Sequence, residues 1–337
     1  MTPAPHFGLI LALTIRGLAV ASYDEMQRVA ATAEELGFDS IWLCDHFLTL
    51  APDAYVEDAG IRPGEGRSAA GDAARSMPLL ECWTTLSALA RDTRRLRLGT
   101  SVLCNSYRLP SILAKMAATL DVISGGRLEL GLGAGWFEKE YRAYGIPFPP
   151  IGERIAQLDE GVEVIRRMWT EPNPAFRGRH YSIEDAVCDP PPLQRPHPPL
   201  WIGGEGDKVH RVAARAADGV NVRWWAPERI AARAAFLESA CREFGRDPAA
   251  LRRSVTALLI VDDDASRVAA ARARFGAIPA TGHIAGSPAQ CIARIRQYIE
   301  GGVRHFLFTI PDVATSRSLE LAGREVLPAV RDELARR

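Results

Sequence analysis

Eight short apolar runs, each followed by a stretch with helical spacing, most restrict the folds open to this chain. They are 7–14 (FGLILALT), 40–45 (SIWLCD), 96–103 (LRLGTSVL), 127–135 (RLELGLGAG), 200–203 (LWIG), 220–224 (VNVRW), 254–261 (SVTALLIV) and 305–310 (HFLFTI). Continuous rather than alternating apolar runs mark strands buried on both faces of a parallel sheet. Eight βα units in 337 residues is the count of a (β/α)8 TIM barrel, an α/β fold. A doubly wound open sheet is the alternative.

The segments between the runs carry helix signals. Ser22, with Glu25 three residues on, resembles a capping box, and Gly37 is a stop. Pro110 opens a helix over 111–122, and 151–169 reads as a long amphipathic helix. Two stretches break the alternation. Residues 51–78, rich in Ala, Gly, Asp and Pro, read as an insertion loop after the second strand. Residues 172–199 hold a Pro-rich connection (DPPPLQRPHPP) before the fifth strand, which cannot be regular structure. No stretch reads as a linker, so 1–337 is expected to form a single domain.

Composition removes several function classes. The chain has 41 basic and 41 acidic residues, which gives no electrostatic case for nucleic acid or an anionic membrane surface. No run approaches a membrane span. The six cysteines make no C-x-x-C and no zinc spacing, as expected of reduced thiols in a cytoplasmic protein. Residues 7–21 lack the basic flank of a secretory signal and read better as a first buried strand.

In such a barrel the site lies at the C-terminal ends of the strands. Those ends offer Asp45 and His46 after the second strand, and Ser101, Cys104, Asn105, Tyr107 and Arg108 around the third. The fourth is followed by Gly133-Ala134-Gly135-Trp136 and Glu138. Glycines at a buried strand end let backbone come close to something flat or charged. They are not a dinucleotide fingerprint, because Trp136 stands where G-x-G-x-x-G needs its last glycine. After the fifth strand comes Gly203-Gly204-Glu205-Gly206-Asp207-Lys208, whose amides would cradle a phosphate at a helix start, without being a Walker loop. Asn221, Arg223 and Trp224 end the sixth. His46 is the best candidate for proton exchange near neutral pH, and Asp45 could orient it. No ligand set for a metal converges on these ends. The Trp136, Trp201, Trp224 and Trp225 indoles could pack a ring system, although buried aromatics are more often core. Together these features suit a phosphorylated ring cofactor without naming one.

DHF at 45–47, LGTSVL at 98–103, LAKMAATLDVISGGRLELGLGAGW at 113–136, PLWIGGEG at 199–206 and ADGVN at 217–221 resemble the bacterial luciferase-like flavin oxidoreductases. The block SGGRLELGLGAGW followed by EYRAYGIPFPP is most similar to the branch that depends on the deazaflavin coenzyme F420. The resemblance implies a (β/α)8 barrel, often a homodimer, with the ring at the C-terminal mouth. It implies a non-prolyl cis peptide at Ser101-Val102 backing the ring, and a tail phosphate held at 203–208. It also implies a histidine, His46, on the substrate side. The implied activity is hydride transfer between F420 and a small organic substrate. The alternative is an FMN-dependent monooxygenase fed with reduced flavin by a partner reductase. Two departures stand out. The F420-dependent sugar-phosphate dehydrogenases carry a catalytic Glu after the glycine cluster, where this chain has Trp136, which argues against sugar-phosphate oxidation. Leu109 also replaces a common His.

Overall fold

The computed structural model describes residues 4–15, 17–20, 22–50, 78–276 and 278–336. The insertion loop expected after the second strand therefore lies, but for its last residue, outside the described residues. In chain order the first elements are β1 (His6–Ala12), α1 (Tyr23–Glu35), β2 (Ser40–Leu43), α2 (Cys82–Asp92), β3 (Arg97–Thr100), β4 (Leu103–Cys104) and α3 (Pro110–Ser124). There follow β5 (Leu128–Gly133), α4 (Glu138–Ala143), α5 (Ile151–Thr170), β6 (Phe176–Arg177), β7 (Ser182–Ile183), β8 (Leu200–Gly203), α6 (Asp207–Ala216) and β9 (Gly219–Arg223). The chain closes with α7 (Pro227–Glu243), β10 (Arg252–Val261), α8 (Ala265–Arg274), β11 (His283–Gly286), α9 (Pro288–Glu300), β12 (His305–Thr309), α10 (Arg317–Leu321) and α11 (Leu327–Ala335).

The strands run in the sheet order β11-β10-β12-β1-β2-β3-β5-β8-β9, and β9 also pairs β10. With helices between them this is the α/β (β/α)8 barrel. Each expected apolar run supplies a strand. The third run supplies two, β3 and β4, and the peptide between Ser101 and Val102, which lie between them, is cis. Two pieces have no counterpart in the expectations. A short antiparallel hairpin, β6–β7, sits inside 172–199, and β11 pairs in parallel with the end of β10. No helix among the described residues is long and apolar enough to cross a membrane.

Contacts divide the chain into two compact units. The first contains 1–85, 222–234 and 253–337. Within it β12, β1 and β2 are parallel neighbours, with Phe7 beside Phe306 and Leu9 beside Ile41 in register. The Phe7, Phe306 and Phe308 rings pack at 5.5–6.0 Å between centroids and are shut off from solvent. Helix α1 starts on Ser22, whose hydroxyl accepts from the Glu25 amide at 3.3 Å, and buries Met26, Val29, Ala30 and Ala33. The second unit contains 86–221 and 235–252. There β3, β5, β8 and β9 are parallel neighbours, and Leu98, Leu128, Leu130, Leu132, Leu200 and Ile202 are fully buried. Pro110 occupies the first turn of α3, and Gly125, at φ 71°, ends it.

Candidate active site

In the second unit the strand ends are organised by Val102. A Cβ at Gly133 would stand 2.7 Å from Val102 Cγ2, and one at Gly203 2.8 Å from Val102 Cγ1. At Gly131 it would meet the Thr100 carbonyl oxygen at 2.0 Å and Val102 at 3.0 Å. These three glycines leave room for the chain's own valine and for a neighbouring strand, so close approach of a ligand is not what requires them. Thr100 adds to the fit: its hydroxyl donates to the Gly131 carbonyl and accepts from the Gly131 amide, both at 2.9 Å.

Past β5 the chain turns at Ala134-Gly135-Trp136. Gly135 has φ 76°, a conformation that suits glycine. Its Cα is walled in: an added Cβ would lie 1.9 Å from the Tyr141 hydroxyl and 2.8 Å from Cys104 Sγ. Those two atoms share a hydrogen bond of 2.8 Å. Burial raises the Tyr141 pKa, with Cys104 adding to it, so this hydroxyl stays protonated. Burial likewise raises that of Tyr107, whose hydroxyl donates to the buried Glu140 carboxylate at 3.0 Å. Arg154, from the first turn of α5, reaches the carbonyls of Ala134 and Gly135. Trp136 is half-buried and stacks on Phe137 at 4.9 Å between centroids. Ser101 and Val102 are half-buried. Asn105 is buried, donates to the Tyr181 hydroxyl at 3.1 Å and packs against Gly161 of α5.

The segment Gly203-Gly204-Glu205-Gly206-Asp207-Lys208 joins β8 to α6. Gly206 is the N-cap of that ten-residue helix and supplies no side-chain cap. A Cβ at Gly206 would meet nothing within 4 Å, so the space above this helix start is open. Gly204 has φ 151°; its amide donates to the Asn221 carbonyl at 3.2 Å and its carbonyl accepts from the buried His210 Nε2 at 3.0 Å. With both groups tied down, the loop has a fixed course into the helix. Gly206, Asp207 and Lys208 are exposed. An open helix N-terminus edged by glycines suits a phosphate group, so the residues present fit a phosphorylated cofactor.

Asp45 and His46 belong to the first unit, just beyond β2. Asp45 is buried and His46 half-buried. Their segment is anchored to the end of β1: the Cys44 amide donates to Ala12, the Leu50 amide to Thr14, and the Thr14 hydroxyl to Leu48. Burial pushes the Cys44 thiol up to about 12, with Arg223 opposing and Asp45 adding to the shift, so it is no nucleophile at neutral pH. Trp224 follows β9 at φ 57°, held by its amide to Thr256, by its carbonyl from Thr281, and by Gly282, where a Cβ would lie 2.4 Å from Trp224 Cα. Trp201 is not available to a ring ligand. It is core, its indole donating to Glu129 at 2.7 Å with Arg252 over its face.

The candidates of the second unit thus come together at the ends of β4, β5 and β8, and Asp45 and His46 sit at the end of β2. The supporting residues Tyr141, Arg154 and His210 were not among the sequence candidates. Arg154 did leave a signal: it falls on the buried face of α5, four residues before Leu158, where the apolar stripe calls for a hydrophobe.

Comparisons with known proteins extend this geometry. A family model described as luciferase-like monooxygenase matches residues 6–281. The F420-dependent glucose-6-phosphate dehydrogenase of Amycolatopsis mediterranei (strain U-32) is 26% identical over 360 residues, covering 91% of this chain and 94% of that protein. Among solved structures, an F420-dependent secondary alcohol dehydrogenase in complex with an F420-acetone adduct has a TM-score of 0.78 at 22% identity, covering 98% of this chain and 100% of that one. Long-chain alkane monooxygenase (LadA) has a TM-score of 0.78 at 15% identity, covering 99% and 92%. These two structural likenesses establish the shared fold. With the model spanning both units, the chain belongs to the luciferase-like monooxygenase family and is an oxidoreductase of that family.

Proposed function

We propose that the chain is a coenzyme F420-dependent oxidoreductase that moves a hydride between the deazaflavin and a small organic substrate. The observation that carries this reading is the second unit's pairing of a fixed strand-end platform, Val102 seated among glycines, with an open helix N-terminus at Gly206. Similarity over 91% of the chain to an F420-dependent dehydrogenase supports it. When bound, F420 supplies the hydride chemistry. The chain's own residues bind and orient: the amides opening α6 hold the phosphate, with Gly204 fixed by Asn221 and His210, and the turn after β5 borders the ring. His46 holds or moves the substrate's proton at an imidazole nitrogen, and Asp45 steadies it. Glucose 6-phosphate is not carried over from the relative, because Trp136 stands where such enzymes have their Glu. A cytoplasmic location is part of the proposal. It rests on six buried cysteines that form no disulfide among the described residues.

Paired fluorescence titrations with F420 and with FMN test the cofactor. Micromolar or tighter binding to F420 and none to FMN is expected. The reverse would make the protein an FMN-dependent monooxygenase. His46→Ala should cut turnover by roughly 10²–10⁴-fold, the span of a lost acid/base, with the F420 Kd unchanged. Full turnover in that variant would remove His46 from the chemistry.

A further inference from the structure

Arg154 is a buried cation, only 7% exposed, and no carboxylate lies within ion-pair distance of it among the described residues. Its acceptors are backbone carbonyls: Pro149 receives Nε at 3.0 Å, and Gly135 and Ala134 receive Nη1, the latter at 3.5 Å. The Phe148 ring lies under the guanidinium, 4.0 Å from centroid to Cζ. Burying a charge without a counter-ion is costly unless its hydrogen bonds are well used. Here they are spent on two successive carbonyls directly after β5.

That choice has a consequence for the backbone. In a planar trans peptide the C=O and N–H point in opposite directions. With the Ala134 and Gly135 carbonyls drawn toward Arg154, the Gly135 and Trp136 N–H groups are carried to the far side of their planes. Successive N–H groups around a left-handed residue form an anion- or oxygen-binding concavity, and Gly135 at φ 76° is such a residue. Tyr141 and Cys104 fill the space beside its Cα, so the turn cannot relax in that direction.

We propose that Arg154 is a positioning residue for cofactor binding: by holding the Ala134 and Gly135 carbonyls it aims the Gly135 amide at an oxygen acceptor of the bound cofactor. This rests on the F420 reading above. The test compares wild type, Arg154→Met, Arg154→Lys and Phe148→Leu by F420 fluorescence titration and thermal midpoint. Phe148→Leu removes the packing under the guanidinium and keeps the carbonyl contacts. Arg154→Met should weaken F420 binding by about tenfold or more, the worth of one lost well-aimed hydrogen bond, with kcat at saturating F420 retained. Arg154→Lys, which keeps the charge but cannot span both carbonyls, should fall between, and it carries the test if the Met variant does not fold. Phe148→Leu should lower the midpoint while leaving the Kd within about twofold, since packing alone is lost. Folded Arg154→Met and Arg154→Lys variants with wild-type Kd would overturn the role of Arg154 and leave the F420 reading standing. Equal losses of affinity in Phe148→Leu and Arg154→Met would reduce Arg154 to general packing, also against the proposal. A wild type that does not bind F420 would sink the cofactor reading, and this inference with it.

Discussion

His283, at the start of β11, is buried, and that burial, helped by the Arg272 charge, lowers its pKa below the usual 6.5. The folded chain therefore resists a proton that the unfolded chain accepts. By linkage, this contribution to stability is fully present above about pH 6.5 and is lost as pH falls from there through the folded value. The urea midpoint should be lower at pH 5.5 than at pH 7.5, and His283→Leu should flatten that part of the profile. An unchanged slope in the variant would clear His283 of the effect. Two glycines give opposite expectations. Gly131→Ala drives a Cβ against the Thr100 carbonyl, and overpacking of that kind costs about 1–3 kcal/mol. Gly152→Ala meets nothing in the first turn of α5 and should stabilise by about 0.5 kcal/mol. Both are read by urea unfolding. The same glycines show where sequence reading stops. The cluster at 131–135 is visible in the sequence, but what fills the space it leaves is not. Val102 comes from the link between β3 and β4, and the register of β4 against β5 brings it there.

Helices were more legible than short strands, for physical reasons. Helix α5 announces itself by its spacing, and α3 by Pro110 and Gly125. Strand β11 has four residues and the hairpin strands two each, too few for a period to show. The Pro-rich connection carries its order outside any regular element. The fully buried Asp121 carboxylate of α3 accepts from the Leu193 amide at 2.8 Å, the Gln194 amide at 3.0 Å and Gln194 Nε2 at 2.7 Å. One helix residue thereby fixes a loop 72 positions away. Asp121→Asn should cost about 1.5–3 kcal/mol, the worth of hydrogen bonds to a charged group, and should expose 189–199 to limited proteolysis. A loop as resistant as wild type would mean that the prolines, rather than the carboxylate, hold its course.

At the level of the molecule, the barrel was readable because eight continuous apolar runs leave few other arrangements, and the family model independently spans 6–281. Exposure, by contrast, appears only in three dimensions. Leu109 (63% exposed), Ile112 (56%) and Ile123 (41%) line one side of α3 at helical spacing. We propose that the homodimer implied by the family resemblance places a second copy on this stripe, where a two-fold axis would set it against itself. Sedimentation equilibrium should show a dimer that Ile112→Glu converts to monomer; a monomeric wild type at micromolar concentration would end that idea. The seat of Val102 has a further consequence, for diversification. A side chain at Gly133 or Gly203 has no space while Val102 keeps its two methyl groups there. Libraries that vary 133 and 203 one at a time will score both as intolerant and miss combinations compensated by a smaller residue at 102, so this part of the mouth is best explored by randomising 102, 133 and 203 as a block.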